Sequence, residues 1–509
     1  MNRRWLPGLF MVVSACGGRM RVDAAPVSAV PPPPPAGTPP PVPPPAALIT
    51  PPIRPADTAA SFELKAALDS AADARALDSL ARLKPSSALP ELALDTRATW
   101  DLNVASFADQ PRVRYYLDYF TGRAHDRFQV WLQRMARFEG YARDQFMARK
   151  LPGDFVYLAL VESGFSPEAV SHASAVGMWQ FMLATGRGYG LRVDQWLDER
   201  RDPIKSTDAA AHHLDDLTQR FGSHYLAAAA YNAGAGRVER GLGHMTPSDI
   251  DEADSASSGD NAFFSLADTR LIRDETKNYV PQLIAAAIIA KEPGRYNFAP
   301  VSHVTPFSRD SVIVDGATGL DLIARLADTT LDAMRDLNPH LLRLVTPPGA
   351  PYPVRVPSGS ASRVADAYAA LPPAERHALV THYVKAGESV ASIARKYGTD
   401  ADAIRSTNRA ARGRSLPPGT VLYVPSNTTI PSASLREAEP PRTTRSVTRT
   451  YIVRAGEGIT SVAKRAGVSV ATLRNQNGLT AKSTVKAGQR LTVSKAVVVS
   501  AKKTVRRKT

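Results

Sequence analysis

The sequence predicts a multidomain protein in which a mostly α-helical domain is followed by small α+β modules with the element order βααβ. The chain has 509 residues, too many for one hydrophobic core, and its 41 prolines lie in uneven clusters that suggest separate modules. Apolar residues recur at helical spacing over the first half of the chain. In the second half, a pattern of two strands and two short helices recurs at an offset of 68 or 69 residues.

Positive charge is concentrated at the C-terminal end of the chain. Residues 449–509 hold 14 lysines or arginines and one acid, whereas the whole chain has a net charge of +15. Such an end suits an anionic partner, such as nucleic acid, a phospholipid surface or an anionic cell-wall polymer. Residues 495–509 form a basic tail, for which a solvated, disordered segment is the alternative interpretation.

The N-terminal residues 1–15 have the layout of a secretory signal peptide, with Arg3 and Arg4 before an apolar run. The run ends in Val13-Ser14-Ala15-Cys16, which resembles the bacterial lipobox, where the cysteine is acylated. Cys16 is the only cysteine, so a thiol consumed by lipid leaves none for a disulfide or a metal site. We therefore expect lipidation at Cys16; the alternative is a free cysteine in an uncleaved signal.

The next two segments are predicted to differ in structure. Residues 16–60 form a tether, because proline runs such as 31–35 favour an extended polyproline-like chain that cannot pack a core. At roughly 3 Å per residue, the tether could hold the following domain up to about 100 Å from a membrane. Residues 61–145 form a helical N-terminal region, whose aromatic residues fit a core better than a ligand site.

One acid, Glu162, lies where a solvated acid is not expected. A helix opened by Asp154 places it on an apolar stripe at positions i, i+3, i+4 and i+7, formed by Phe155, Leu158, Ala159 and Glu162. Ser163 and Gly164 then end the helix, so that the carboxylate lies at the negative end of the helix dipole. Burial and dipole both raise the pKa of a carboxyl group, which can then protonate a leaving glycosidic oxygen. The alternative is a buried structural acid paired with an arginine.

Four segments carry a resemblance to a known family. In order, they are Glu162-Ser163, Gly177-Met178-Trp179-Gln180-Phe181, Ala230-Tyr231-Asn232-Ala233-Gly234 and Glu275-Thr276-Lys277-Asn278-Tyr279-Val280. Together they resemble the motifs of the soluble lytic transglycosylases. The second motif departs from the commoner pattern, in which an aliphatic residue, methionine and glutamine follow the glycine. Here methionine comes one place early, which leaves open whether Met178 or Trp179 lines the sugar groove.

The resemblance implies a lysozyme-like catalytic domain over residues 146–300, with Glu162 as its single catalytic acid. It also implies a set of substrate-binding residues: Ser163, Met178, Gln180, Tyr231, Asn232 and Tyr279. The implied reaction cleaves the β-1,4 bond between N-acetylmuramic acid and N-acetylglucosamine in peptidoglycan, with formation of 1,6-anhydromuramoyl ends. The alternatives are a non-catalytic peptidoglycan-binding lipoprotein and a lysozyme-type hydrolase of the same bond.

The repeated pattern of the second half resembles the LysM module, which binds glycans that contain N-acetylglucosamine. Two copies are predicted at residues 381–426 and 449–494, joined by a linker at 427–448. A third, eroded copy at 312–358 has lost the opening Tyr-x-Val and is expected to be degenerate.

The expected partners are peptidoglycan strands and, through the lipid anchor, a membrane; nucleic acid is not expected. The expected location is the periplasm, with the protein anchored to a membrane and Gly17 favouring the outer one. No cofactor is expected. Nor is a metal site, since the adjacent His212 and His213 face different sides of a helix.

Overall fold

The computed structural model describes residues 72–73, 75–76, 99–245, 259–301, 304–413, 415–426, 428–436, 443–480 and 483–499. The predicted signal peptide at 1–15, Cys16 and the tether at 16–60 lie outside these residues, as do most of residues 61–98 and all of 500–509. Among the described residues, no helix combines the length and the apolar character needed to cross a membrane.

The first part of the described chain is helical. Its α-helices are α1 (Pro111–Thr121), α2 (His125–Ala148), α3 (Leu158–Ser163), α4 (Leu183–Gly188), α5 (Pro203–Phe221), α6 (His224–Ala233), α7 (Ala235–Leu242), α8 (Asn261–Asp268) and α9 (Asp274–Lys291). Short 3-10 helices lie at Gly153–Tyr157, Glu199–Arg201 and Pro293–Tyr296. Helix α9 is central, because its residues 278–289 are all buried and it packs against α1, α3, α6 and α8.

Three modules follow, each with two antiparallel strands that enclose two helices. The first is β1 (Ser311–Val314), α10 (Leu320–Leu326), α11 (Leu331–Leu337) and β2 (Tyr352–Arg355), and helix α12 (Ala361–Ala370) follows it. The second is β3 (Leu379–Tyr383), α13 (Val390–Tyr397), α14 (Ala401–Thr407) and β4 (Val421–Pro425). The third is β5 (Thr443–Ile452), α15 (Ile459–Ala466), α16 (Val470–Gln476) and β6 (Arg490–Val499). Further 3-10 helices lie at Pro373–Glu375 and Arg409–Arg412.

The repeated asparagine has the same structural role in each module. Asn408 accepts a hydrogen bond from the backbone N–H of Tyr423 and donates one to its carbonyl, both at 2.8 Å. Asn338 makes this pair of bonds with Arg355, and Asn477 makes it with Thr492. A single side chain thus joins the second helix of each module to its second strand.

The cores of the modules differ. The second and third modules each have a small core of their own, around Ile393 and Val462 respectively. The first module instead shares a continuous hydrophobic core with the helical domain. The predicted fold class, a mostly helical domain followed by βααβ modules, is confirmed. Strand β5 begins within the predicted linker at 427–448, and strand β6 ends within the predicted tail at 495–509.

The helix that carries Glu162 begins later than the sequence predicts. Asp154 lies in the 3-10 helix, and α3 starts only at Leu158. The buried Asp154 carboxylate does not cap a helix, because it accepts the Asp101 N–H at 2.8 Å and pairs with Arg143 and Lys291 at 3.2 and 2.7 Å. A buried charge needs such partners, and they fix the approach to α3.

The end of α3 agrees with the prediction. Gly164 has a φ of +58°, and its N–H donates to the Leu160 carbonyl at 2.9 Å. A Cβ atom at Gly164 would lie 2.2 Å from the indole ring of Trp131. Both the backbone conformation and the close approach of Trp131 therefore require glycine directly after the Glu162-Ser163 pair.

Candidate active site

Glu162 lies in the last turn of α3 and is partly exposed. The hydroxyl of Tyr279, from the first half of the central helix α9, donates to Glu162 Oε1 at 2.6 Å. Tyr279 is itself buried. The structure therefore joins the first and fourth motifs, which lie 117 residues apart, in one short hydrogen bond.

Burial raises the pKa of Glu162 from 4.5 to about 7. The hydrogen bond from Tyr279 opposes this rise, and the negative charge of Glu275 adds to it. At neutral pH, Glu162 is therefore divided between its acid and carboxylate forms. A group in this state can give a proton and later take one back.

Ser163 and Met178 join the first motif to the second. The buried Ser163 hydroxyl donates to the Met178 carbonyl at 2.8 Å and accepts the Ser166 N–H at 3.1 Å. Met178 is only 1% exposed. The side chains of these two residues, predicted to bind substrate, thus lie in the interior, where they position the backbone around Glu162.

Trp179 is also buried, with its indole N–H donating to Thr207 Oγ1 at 2.9 Å. Neither Met178 nor Trp179 therefore presents its side chain to a surface groove. In the segment 177–181, Gln180 is the residue that is not buried, and its amide donates to the Gly177 carbonyl at 2.8 Å. Gly177 has a φ of +88°, and a Cβ atom there would lie 1.8 Å from the Arg200 carbonyl oxygen, so the turn requires glycine.

The third motif contributes two partly exposed polar residues, Tyr231 and Asn232. The Tyr231 hydroxyl donates to the Trp179 carbonyl at 2.8 Å, and burial together with the charge of Glu162 raises the pKa of Tyr231. The Asn232 side-chain oxygen accepts the Thr276 hydroxyl at 3.2 Å. Hydrogen bonds thus link the four motifs to one another and to Glu162, and Gln180, Tyr231 and Asn232 remain partly exposed.

Two further residues that the sequence motifs do not include contribute to this site. Arg200 is buried, and its guanidinium pairs with the Asp198 carboxylate at 2.8 Å. It also donates to the Phe181 carbonyl at 3.1 Å and so holds the backbone of the second motif. Its only signal is a run of five charged residues, 198–202, before the proline that begins α5. The His213 ring lies 4.9 Å from that of Tyr231, and burial lowers its pKa to about 4, which keeps it uncharged.

Among the described residues, no cluster of histidine, cysteine, aspartate and glutamate side chains could hold a metal ion.

Comparison with protein families gives three matches along the chain. Residues 146–252 match the Transglycosylase SLT domain, and residues 309–373 match the family described as Lytic transglycosylase MltD, LysM-like domain. Residues 382–425 and 451–494 each match the LysM domain.

Several individual proteins are similar to parts of the chain. Membrane-bound lytic murein transglycosylase D of Escherichia coli K12 is 28% identical over 394 residues, which cover 72% of this chain and 82% of that protein. A putative tributyltin chloride resistance protein of Alteromonas is 36% identical over 121 residues, or 23% of this chain and 58% of that protein. The solved structure of the soluble lytic transglycosylase SLT70 from Escherichia coli has 18% identity and a TM-score of 0.24, over 46% of this chain and 45% of that chain.

The family matches follow the order in which the sequence predicts the domains, and the four motifs converge on Glu162 within and beside the SLT match. The chain is therefore a lytic transglycosylase in which an SLT domain is followed by an MltD LysM-like domain and two LysM domains.

Proposed function

We propose that this enzyme cleaves the β-1,4 bond between N-acetylmuramic acid and N-acetylglucosamine in peptidoglycan and leaves 1,6-anhydromuramoyl ends. The observation that carries this proposal is Glu162, a carboxyl group with a pKa of about 7 at the meeting point of the four motifs; the other acid in the motifs, Glu275, is exposed and acts on Glu162 through its charge. Glycosidases that act with water normally need two carboxylates, one as acid and one as base or nucleophile. A single group that titrates near neutrality can take both roles in turn.

In the first step, Glu162 protonates the glycosidic oxygen as the bond breaks. Because the Tyr279 hydroxyl donates to Oε1, that oxygen is an acceptor, and Oε2 is the oxygen that carries the proton. The 2-acetamido group of the substrate stabilises the positive charge that develops on the sugar. The same tyrosine bond stabilises the carboxylate that remains after proton transfer.

In the second step, ionised Glu162 removes the proton from the C6 hydroxyl of the N-acetylmuramic acid. The C6 oxygen attacks C1 of the same sugar, which closes the 1,6-anhydro ring and restores the acid form of Glu162. Since both reacting atoms belong to one sugar, ring closure is favoured over attack by water. Gln180, Tyr231 and Asn232 hold the N-acetylated sugars in the groove, while Ser163 and Met178 act through backbone position.

Incubation with purified sacculi tests this function. We expect the enzyme to release soluble glycan fragments that mass spectrometry identifies as carrying anhydromuramoyl ends. Binding to sacculi without any release would instead support a non-catalytic wall-binding protein. Release of fragments with reducing ends would support a lysozyme-type hydrolase.

We further propose that the LysM domains hold the enzyme on the wall. Removal of residues 443–509 is expected to lower affinity for intact sacculi by more than it lowers turnover of a short soluble glycan. The deleted module has its own core, so the rest of the fold remains, and linked binding raises the local concentration of the SLT domain only on a polymer.

Sacculus pull-downs at low and high salt, alongside rates on a soluble oligomer, measure this effect. A variant that lacks only residues 500–509 separates the charge of the tail from sugar recognition, since binding through charge weakens as salt rises. Equal sacculus binding by the 443–509 deletion and the full chain would contradict the proposed role.

A lipid anchor at Cys16 is part of the same proposal. We expect Cys16→Ser to leave the protein without lipid and to move it from the membrane fraction to the soluble periplasmic fraction. Fractionation and metabolic labelling with a fatty acid measure the two effects. Recovery of Cys16→Ser in the membrane fraction would count against the anchor.

A further inference from the structure

The eroded first module contacts the SLT domain along residues 194–202, which we call the docking segment, and two ion pairs, Arg137–Asp336 and Arg335–Glu168, join the two parts elsewhere. The two parts share backbone contacts in the manner of a short strand pair. These are a β-bridge between Leu197 and Leu341, a hydrogen bond from Asp198 N–H to the His340 carbonyl at 3.0 Å, and one from Leu342 N–H to the Trp196 carbonyl at 3.0 Å.

Two arginines of the module hold the docking segment by their side chains. Nη2 of Arg355 donates to both carboxylate oxygens of Asp202, at 2.7 and 2.8 Å. The guanidinium of Arg343 lies 3.9 Å from the centre of the Trp196 ring and is almost wholly buried. Asp202 is fully buried, so its interaction with Arg355 is shielded from water. Asn338 fixes the backbone of Arg355 in turn.

The equivalent position of the second module contacts the same segment. Tyr423 is paired to Asn408 as Arg355 is to Asn338, and its ring lies 4.9 Å from that of Trp196. In the third module this position is Thr492, which is exposed. The two modules nearest the SLT domain thus use one matching position to face the docking segment.

The docking segment in turn supports the second motif. Arg200 donates to the carbonyls of Phe181 and Ser174, at 3.1 and 3.3 Å. Its own carbonyl occupies the space that a side chain at Gly177 would need. A shift of the segment would therefore move the turn that carries Gln180.

A second route runs through helix α5. The Asp202 carboxylate that binds Arg355 also caps α5, because it accepts the N–H groups of Ile204 and Lys205. In the next turn of α5, Thr207 accepts the indole N–H of Trp179. Arg355 is thus linked to the second motif by two routes that both start at Asp202. One runs along α5 to Thr207 and Trp179, and the other runs along the docking segment to Arg200 and Phe181.

We propose that the LysM-like module is a positioning part of the catalytic site: Arg355 and Arg343 hold residues 194–202, which set the turn 177–181 for substrate binding. This proposal rests on the proposed function of the SLT site. It assigns the module a role in turnover of any glycan, including short soluble ones that need no attachment to the wall. Arg355 is a positioning residue, since its side chain bonds Asp202 and not Glu162 or the four motifs.

Kinetics of Arg355→Met on a soluble glycan oligomer test this role. We expect KM to rise and kcat/KM to fall by at least about tenfold, since small displacements of binding groups have effects of this size. Sacculus binding and the apparent pKa of Glu162 in the pH profile should stay unchanged. Partial unfolding would instead lower kcat at constant KM. Arg355→Lys, which keeps the charge but not the planar group, is expected to recover part of the loss.

Two further variants complete the test. Arg325→Met removes an exposed arginine that pairs with Asp321 inside the same module, and kcat/KM is expected to remain at the wild-type value. The double variant Arg355→Met/Asp202→Asn keeps a helix cap and leaves no unpaired buried charge. We expect it to show the same rise in KM as the single variant, because the ion pair between residues 355 and 202 is still missing.

Wild-type kcat/KM in Arg355→Met, or its return in the double variant, would overturn the positioning role. The proposed function itself is checked separately by Glu162→Gln. If that variant stayed active, the assignment of the acid would fail, yet the Arg355 comparison would still report on positioning, because it requires only measurable turnover.

Discussion

Replacement of Glu162 by glutamine is expected to abolish lysis of sacculi while it preserves the fold and wall binding. The amide has nearly the shape of the protonated acid and can still accept the Tyr279 hydrogen bond, but it has no acidic proton and cannot act as a base. Loss of general acid catalysis alone lowers rates by about 10²- to 10⁴-fold. Because Glu162 acts in both steps, we expect the larger value or more, measured as clearing of sacculus turbidity.

The same variant should be more stable than the wild type at high pH. Burial raises the pKa of Glu162 to about 7, so between its unfolded value of 4.5 and pH 7 the native state keeps a proton that the unfolded state has lost. Native stability therefore falls as pH rises through this range and stays lower above it. Glutamine cannot ionise and so avoids this loss of stability. Above pH 7, we expect the free energy of unfolding of the variant to exceed that of the wild type by about 2 kcal/mol, after allowance for the partial exposure of Glu162.

Denaturant unfolding of both proteins near pH 8 and near pH 4 measures the difference, which should vanish at the lower pH. Clearing of turbidity by Glu162→Gln at the wild-type rate would contradict the catalytic assignment. Equal stability of the two proteins at both pH values would contradict burial as the cause of the raised pKa.

Tyr279→Phe is expected to lower activity by about 10- to 100-fold and to shift the pH profile. The tyrosine hydroxyl stabilises the carboxylate form of Glu162, so its loss raises the pKa of Glu162 further. Since cleavage starts from the protonated acid, the fall of kcat/KM at high pH should move to higher pH. At the same time, the carboxylate left after proton donation loses its hydrogen bond, which lowers the rate.

Tyr231→Phe provides the matched control. Its hydroxyl donates to the Trp179 carbonyl and makes no hydrogen bond to Glu162, so the high-pH limb should stay close to its wild-type position even if turnover falls. Kinetics on a soluble oligomer across the pH range compare the two variants. A limb that moved to lower pH in Tyr279→Phe would show that the tyrosine acts on Glu162 in another way.

The sequence predicts the parts of this site that depend on local pattern. Helical spacing and a following glycine place Glu162 correctly in the last turn of α3, since both signals lie within a few residues. The recurring segments likewise predict the βααβ modules, whose asparagines repeat the same hydrogen bonds.

Other features depend on contacts between distant residues. Asp154 looks like a helix cap in sequence, but its partner Lys291 comes from the far end of α9. Ser163 and Met178 lie inside because each motif packs on another. The bond between Arg355 and Asp202 spans 153 residues, and no periodicity predicts which module arginine meets which acid.

The most direct test of the account is the source of the oxygen at the new sugar end. A soluble glycan oligomer is digested in water labelled with oxygen-18, and the masses of the products are measured by mass spectrometry. Attack by the substrate's own C6 hydroxyl predicts N-acetylmuramic acid ends that are one water lighter than hydrolysed ends and carry no label, with no product from Glu162→Gln. Labelled reducing ends would contradict the account, because they would show that Glu162 activates water instead.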